Sequence, residues 1–386
     1  MYELKVYSSY IIAAIQDKVV FFSTDGNVLH EIVVQQLPPA EGTADAGNQQ
    51  NGKQGTQPPL PAHVVTFEFC PSANVLAVSL NNKALQCYEL HQKDGKLSSS
   101  LLGDSIPTTR TIVCMKFVPK RNVVIGSDKS DCFEFDVLNK QEQKSKWILG
   151  HMSQILGLAV SDDERFIVTC DRDEKIKVSS YPDCHNIECF CLGHLEYVGG
   201  IEIIPTQKLI SVSGDRTLRL WDFAEGKEIG QLSLQDPAVG LSVQRVEQSS
   251  EMLCVVRSSV QNKIDVALVR YEEPNASLLC DPLTVDESLS VLSAALSASL
   301  QLVLLVMEKE SKRARMLAYD FSVEKRQFIP CADHSLIKNF DAQFTKQRLS
   351  RCGIIPHSSN TASITFRSTL NEKSRKSDRK NRNKNC

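Results

Sequence analysis

The sequence predicts an all-β ring of about seven four-stranded sheets, and three observations predict it. A short alternating strand recurs as "FEFCP", "MKFVP", "LAVSD" and "EIIPT", with its turn residue at Pro71, Pro119, Asp162 and Pro205, a spacing of 43 to 48 residues. A second apolar strand follows each copy and a third follows that, both alternating with the period of two that a pleated strand imposes. A repeat of roughly 40 to 45 residues holding several strands is the period of radial β architectures, in which each copy contributes one sheet.

In chain order, residues 4 to 34 supply the first set of strands. The second copy reads "FEFCP", "NVLAVSL" and "ALQCYEL"; the third "MKFVP", "NVVIGSD" and "DCFEFDV"; the fourth "LAVSD", "RFIVTCD" and "EKIKVSS"; the fifth "EIIPT", "KLISVSG" and "TLRLWDF". Weaker copies lie at about 238 to 271 and 285 to 320, and the first and last close the ring. Residues 1 to 340 are read as this one domain. Within it, residues 36 to 62 are rich in Pro, Gly, Gln and Asn and almost free of large apolar side chains, so they form a flexible insertion that cannot bury enough surface to offset ordering. Residues 341 to 386 are a polar to basic tail. Its end carries Lys373, Arg375, Lys376, Arg379, Lys380, Arg382 and Lys384 against Glu372 and Asp378, a local charge of +5. Solvated disorder, a nuclear import signal and a nucleic-acid arm all fit that composition, and the absence of interleaved aromatics leaves only backbone attraction to phosphates.

The bulk numbers exclude several classes. A chain of 386 residues with 42% hydrophobic residues and a formal charge of −2 reads as a globular protein without a global bias toward polyanions. Thirteen scattered cysteines, never spaced as CxxC, suit reduced thiols in nucleus or cytosol better than a disulfide framework. The group Cys184, His185, Cys189 and Cys191 lacks a metal-ligand spacing, so no metal is expected. No export signal is visible at the N-terminus, and the longest apolar run, residues 300 to 307, is far short of a membrane span, so no membrane partner is expected. "GNQQNGKQ", Gly47 to Gln54, has the glycines and lysine of a phosphate loop but lacks the Ser or Thr and the flanking strand and helix. No glycine-rich dinucleotide motif follows a strand, so no cofactor is expected on this chain.

The fifth copy resembles a WD repeat of a β-propeller. It opens with "GH" at Gly193 and His194 and closes with "SVSGDRTLRLWD". In such repeats the histidine, a strand hydroxyl, the turn aspartate and the tryptophan form a buried hydrogen-bonded tetrad; the matching residues are His194, Ser211, Asp215 and Trp221. A closed network is what makes such burial tolerable, because each orphaned polar group costs about 1–3 kcal/mol. The fourth copy keeps His151, Thr169 and Asp173 but has Ser179 in place of the tryptophan. The two histidines are therefore read as structural, and no nucleophile, base and acid set stands out. Strand alternation sets Lys177 on the face opposite Ile176 and Val178, aligned with Arg219 and compatible with a solvated surface.

Residues from about 150 to 225, "GHMSQILGLAVSDDERFIVTCDRDEKIKVS" and "IECFCLGHLEYVGGIEIIPTQKLISVSGDRTLRLWDF", resemble the non-catalytic WD-repeat subunit of the eukaryotic tRNA (guanine-N7-)-methyltransferase. The resemblance implies a scaffold that forms a heterodimer with a catalytic subunit and meets tRNA through that complex. The partner would bind S-adenosylmethionine and methylate a variable-loop guanosine. It further implies that Glu174, Lys175 and Lys177, with Lys129 beside them, meet the partner. Where many relatives carry arginine, Lys177 keeps the charge but loses the bidentate fork. Nuclear localisation, with the cytoplasm as a second compartment, goes with this reading. The alternative is a WD-repeat adaptor of another assembly, such as a ubiquitin ligase or a chromatin complex.

Overall fold

The apolar repeats fold into seven consecutive antiparallel sheets in the computed structural model, which describes residues 2–36, 61–137, 145–274, 277–331 and 335–344. Blade 1 comprises Tyr2–Val6, Ile11–Ile15, Lys18–Phe22 and Val28–Val33; blade 2, Val64–Cys70, Val75–Leu80, Ala84–Lys93 and Lys96–Leu101. Blade 3 comprises Cys114–Val118, Val123–Ser127, Asp131–Asp136 and Ser145–Gly150; blade 4, Ile155–Val160, Phe166–Asp171, Ile176–Ser180 and Ile187–Cys191. Blade 5 comprises Val198–Ile204, Lys208–Ser213, Thr217–Asp222 and Lys227–Ser233. Blade 6 has Ala238–Arg245, Glu251–Ser258 and Lys263–Arg270, with Leu278–Leu279 and Leu283–Thr284 sharing its outer edge. Blade 7 comprises Leu289–Leu296, Gln301–Glu308, Ala314–Ser322 and Gln327–Pro330. The first strand of each blade neighbours the first strands of the blades before and after it, and that of blade 7 neighbours that of blade 1, so the described sheets form a closed seven-bladed propeller.

This arrangement changes what alternation means. Every residue of Ile11–Ile15, Val75–Leu80 and Val123–Ser127 is buried, because a blade's second strand is covered on both faces by neighbouring blades. Outer strands such as Lys96–Leu101 show the alternating exposure of a half-solvated strand. The cores lie between blades: Trp221, Phe223 and Leu209 of blade 5, for example, pack with Ile176, Val178 and Cys191 of blade 4.

Ring closure occurs between two complete sheets. The Leu4 amide of blade 1 donates to Ser293 Oγ of blade 7 at 3.2 Å. A helix absent from the sequence expectations, Ser335–Phe344, covers the junction and crosses the expected tail boundary at residue 340. Leu336 and Phe340 are fully buried beside Leu4, Phe22 and Met316. Gly26 permits this seat, since its φ of +84° suits glycine and a Cβ there would lie 2.2 Å from the Leu336 amide nitrogen. The base of the 36–62 insertion is also tied: the Gln36 side chain donates to Ala62 O at 3.1 Å and accepts from the Ala62 amide at 2.7 Å. Between these anchors, residues 37–60, including the phosphate-loop look-alike, lie outside the described residues.

Candidate docking face

The turns joining second to third strands, and the links joining one blade to the next, gather at one end of blades 3 to 5. In blade 5 the link brings His194 under the turn. Its Nδ1 lies 2.9 Å from Asp215 Oδ2 and its Nε2 2.7 Å from Ser211 Oγ, and Trp221 Nε1 donates to the same hydroxyl at 2.8 Å. Burial opposes ionisation of Asp215, but hydrogen bonds from His194 and Thr217 outweigh it and hold the carboxyl well below the usual carboxylate range. Arg219 is buried as well, with Nη1 2.6 Å from Glu228 Oε2, and is not a solvated residue.

Blade 4 departs from the expected pattern at two points. The aspartate that meets His151 is Asp171 and not Asp173: His151 Nδ1 lies 2.9 Å from Asp171 Oδ2, and Nε2 lies 2.7 Å from Thr169 Oγ1. Asp171 ends its strand with Oδ1 accepting the amides of Asp173 and Lys175 at 2.9 and 3.0 Å, so one carboxylate both closes the turn and holds the histidine. Here too burial works against the charge, and His151 and Lys175 more than compensate, holding Asp171 low. Asp173 is left exposed, 3.4 Å from its neighbour Arg172. Ser179, in the tryptophan's place, is fully buried with its hydroxyl unpartnered.

The second departure is Lys177. It is only 6% exposed, and its Nζ donates to Gly150 O at 2.6 Å, tying the third strand of blade 4 to the end of blade 3. Burial pulls its pKa below the ordinary lysine value. The expectation of a solvated strand face fails because neighbouring blades cover both faces of the sheet. Lys177 therefore lies beneath the surface and holds the link that bears the exposed residues.

The remaining charged positions do reach the surface. Lys129 is exposed in the second turn of blade 3, and its carbonyl accepts the Ile155 amide at 2.9 Å. Glu174 and Lys175 are exposed in the corresponding turn of blade 4, Glu174 at a φ of 75°. The Arg172 amide donates to Gln154 O at 2.9 Å, so the link from 151 to 154 lies between these two turns. Sequence reasoning missed the apolar half of this face. Met152 is fully exposed, at 103% of its reference area, and Leu195 and Leu192 are 72% and 64% exposed. Trp147, Ile187 and Phe190 add exposed apolar area on the adjoining outer strands. Six of the thirteen large apolar residues exposed among those described thus fall between 147 and 195, and a smaller group, Val28, Leu29 and Val33, lies on the outer strand of blade 1. The signal was present: in both copies the residue after "GH", Met152 or Leu195, is apolar where a loop has no core to fill. The basic residues Lys373, Arg375, Lys376, Arg379 and Lys380 lie outside the described residues.

Residues 136–328 match the family model for the tRNA methyltransferase TRM82 WD40 domain. A protein of Anopheles gambiae described as tRNA (guanine-N(7)-)-methyltransferase non-catalytic subunit wuho is 68% identical over 89% of this chain and 90% of its own length. The chain belongs to this family of non-catalytic methyltransferase subunits. A counterpart in Aedes aegypti is 31% identical over 83% of this chain and 77% of its own, and one in Culex quinquefasciatus is 31% identical over 72% and 68%. Among solved structures, a chain of a mitotic checkpoint complex aligns with a TM-score of 0.61 at 14% identity, over 82% of this chain and 86% of its own, a likeness of fold alone. The family match spans blades 4 to 6 and most of blade 7, and includes the turn 171–175 and both "GH" links.

Proposed function

We propose that this chain is the scaffold half of a heterodimer, holding a catalytic tRNA (guanine-N7-)-methyltransferase subunit for N7-methylation of a tRNA guanosine. The partner supplies the S-adenosylmethionine site, tRNA is met through the complex, and the complex works in the nucleus. The observation that carries the reading is the exposed group Met152, Leu192 and Leu195 beside Lys129, Glu174 and Lys175, an apolar centre rimmed by charge on a rigid ring. Such a surface suits a protein partner, because burying it gains free energy while the rim charges set orientation. Lys177 acts from below, through Gly150 O, by fixing the link that carries Met152. The test is co-expression with the catalytic subunit followed by affinity capture. Leu192→Asp/Leu195→Asp should abolish capture with the melting temperature unchanged, and capture equal to wild type would sink the assignment of the face.

A further inference from the structure

Arg257, like Lys177, is a basic side chain of the ring without a carboxylate partner among the described residues, but it lacks the short carbonyl bond that holds Lys177. Lys5, Lys18, Lys208, Arg219 and Arg270 each find a carboxylate oxygen within 2.8 Å. Arg257, half-buried at the end of the second strand of blade 6, forms no ion pair among the described residues. Its one hydrogen bond runs from Nη2 to Val239 O at 3.5 Å. Val239, whose carbonyl it meets, lies against the entry of blade 5: a Cβ on Gly199, two residues beyond Tyr197, would lie 3.0 Å from Val239 Cα. Gly240 lies opposite Arg257 in the sheet, and a Cβ there would come within 3.3 and 3.4 Å of Nε and Nη2, so the guanidinium lies across bare backbone. Burial pulls the guanidinium pKa below its ordinary value, with only Tyr197 opposing. A desolvated cation without a counter-ion costs stability, and most of its five N–H donors are unspent.

We propose that Arg257 is a receptor for one acidic side chain of the catalytic subunit, inserted at the seam between blades 5 and 6. This rests on the docking reading above and extends that face beyond blade 5. Continuity comes from the link 192–197: Leu195 is in the apolar patch, and the link runs into Gly199, which lies against Ala238 and Val239, the residue whose carbonyl Arg257 meets. The acidic neighbours Glu174 and Glu196 disfavour a nucleic-acid strand, which would bring a row of phosphates past them. A single carboxylate brings one charge, and the guanidinium fork answers it with two parallel hydrogen bonds.

The experiment measures affinity of the purified catalytic subunit for this chain, and the melting temperature of the free chain, in Arg257→Met, Arg257→Lys and the control Arg165→Met, an exposed arginine at the opposite end of the ring. Arg257→Met should weaken the complex about thirtyfold or more and leave the free chain equally or more heat-stable, with Arg257→Lys intermediate in affinity and Arg165→Met unchanged. Wild-type affinity in Arg257→Met overturns the proposal. So does a free chain destabilised by that substitution, since Arg257 would then be structural. Failure of the wild-type chain to bind the catalytic subunit refutes the docking reading itself, and the inference with it.

Discussion

Replacing His194 by alanine tests the tetrad of blade 5 with an effect that can be worked from its geometry. The imidazole is fully buried; its Nδ1 lies 2.9 Å from Asp215 Oδ2 and 3.2 Å from Thr217 Oγ1, and its Nε2 2.7 Å from Ser211 Oγ, so its two nitrogens make two principal bonds. Neither partner is orphaned by its loss: Ser211 keeps Trp221 Nε1, and Asp215 keeps the Leu195 amide and Thr217. The cost is therefore two net hydrogen bonds at about 1 kcal/mol each plus the cavity of the ring, or about 3 kcal/mol. For a domain of this size that corresponds to a fall in melting temperature of roughly 5 °C. Trp221→Phe removes one donor and leaves the His194 bond to Ser211, so it should cost about 1 kcal/mol. His151→Ala should cost at least as much as His194→Ala, because Thr169 has no tryptophan to fall back on. Thermal and urea melts of the free chain, with capture of the catalytic subunit at a temperature where all variants are folded, provide the assay. His194→Ala melting within a degree of wild type would refute the account of the tetrad as a stabilising network.

Three further outcomes follow from named contacts. Lys177→Glu sets a buried carboxylate against Gly150 O and should lose about 3 kcal/mol or more, whereas Lys177→Met, which removes a desolvated charge with its one bond, should stay within about 1 kcal/mol of wild type; equal melting of the two would contradict the buried placement. Asp265 is buried with one carboxylate oxygen unpartnered, and burial together with Asp236 raises its pKa. Its contribution is therefore complete below the unfolded carboxylate pKa of about 3.9 and is lost as pH rises through the raised folded value. Asp265→Asn should accordingly melt higher than wild type at pH 8 and lose that advantage near pH 4, and a pH-independent difference would argue against the assignment. Gly26→Ala adds a Cβ against the Leu336 backbone and should expose Ser335–Phe344 to limited proteolysis, with an intact cleavage pattern as the contrary result.

Most of the architecture was legible because a repeat of strands tolerates only a few closures, and the "GH" with the tryptophan pinned one copy in full. The errors arose where sequence alignment and geometry select different atoms. Asp171 and Asp173 are two residues apart in one turn; alignment selects Asp173, while the position at the strand end, where one carboxylate can accept turn amides and reach the histidine together, selects Asp171. Lys177 was misplaced because period-two alternation assumes a sheet with a wet face, and a blade's inner strands have none. Met152 and Leu195 carried a signal that strand periodicity ignores, namely apolar side chains in links. The helix Ser335–Phe344 also left a trace, Leu336, Phe340 and Phe344 at a spacing of four, within a segment whose overall polarity suggested tail.

On the proposed function, this ring acts by holding a catalytic partner on the face made by the links and turns of blades 3 to 5. Its most direct test is N7-methylation of guanosine in tRNA by the catalytic subunit alone, with the wild-type chain, and with Leu192→Asp/Leu195→Asp at equal concentration. The wild-type chain should raise methylation well above that of the catalytic subunit alone, with a one-to-one complex in solution, while the double variant, folded and melting normally, should give no increase. Full stimulation by the double variant, or none by the wild type, would contradict it.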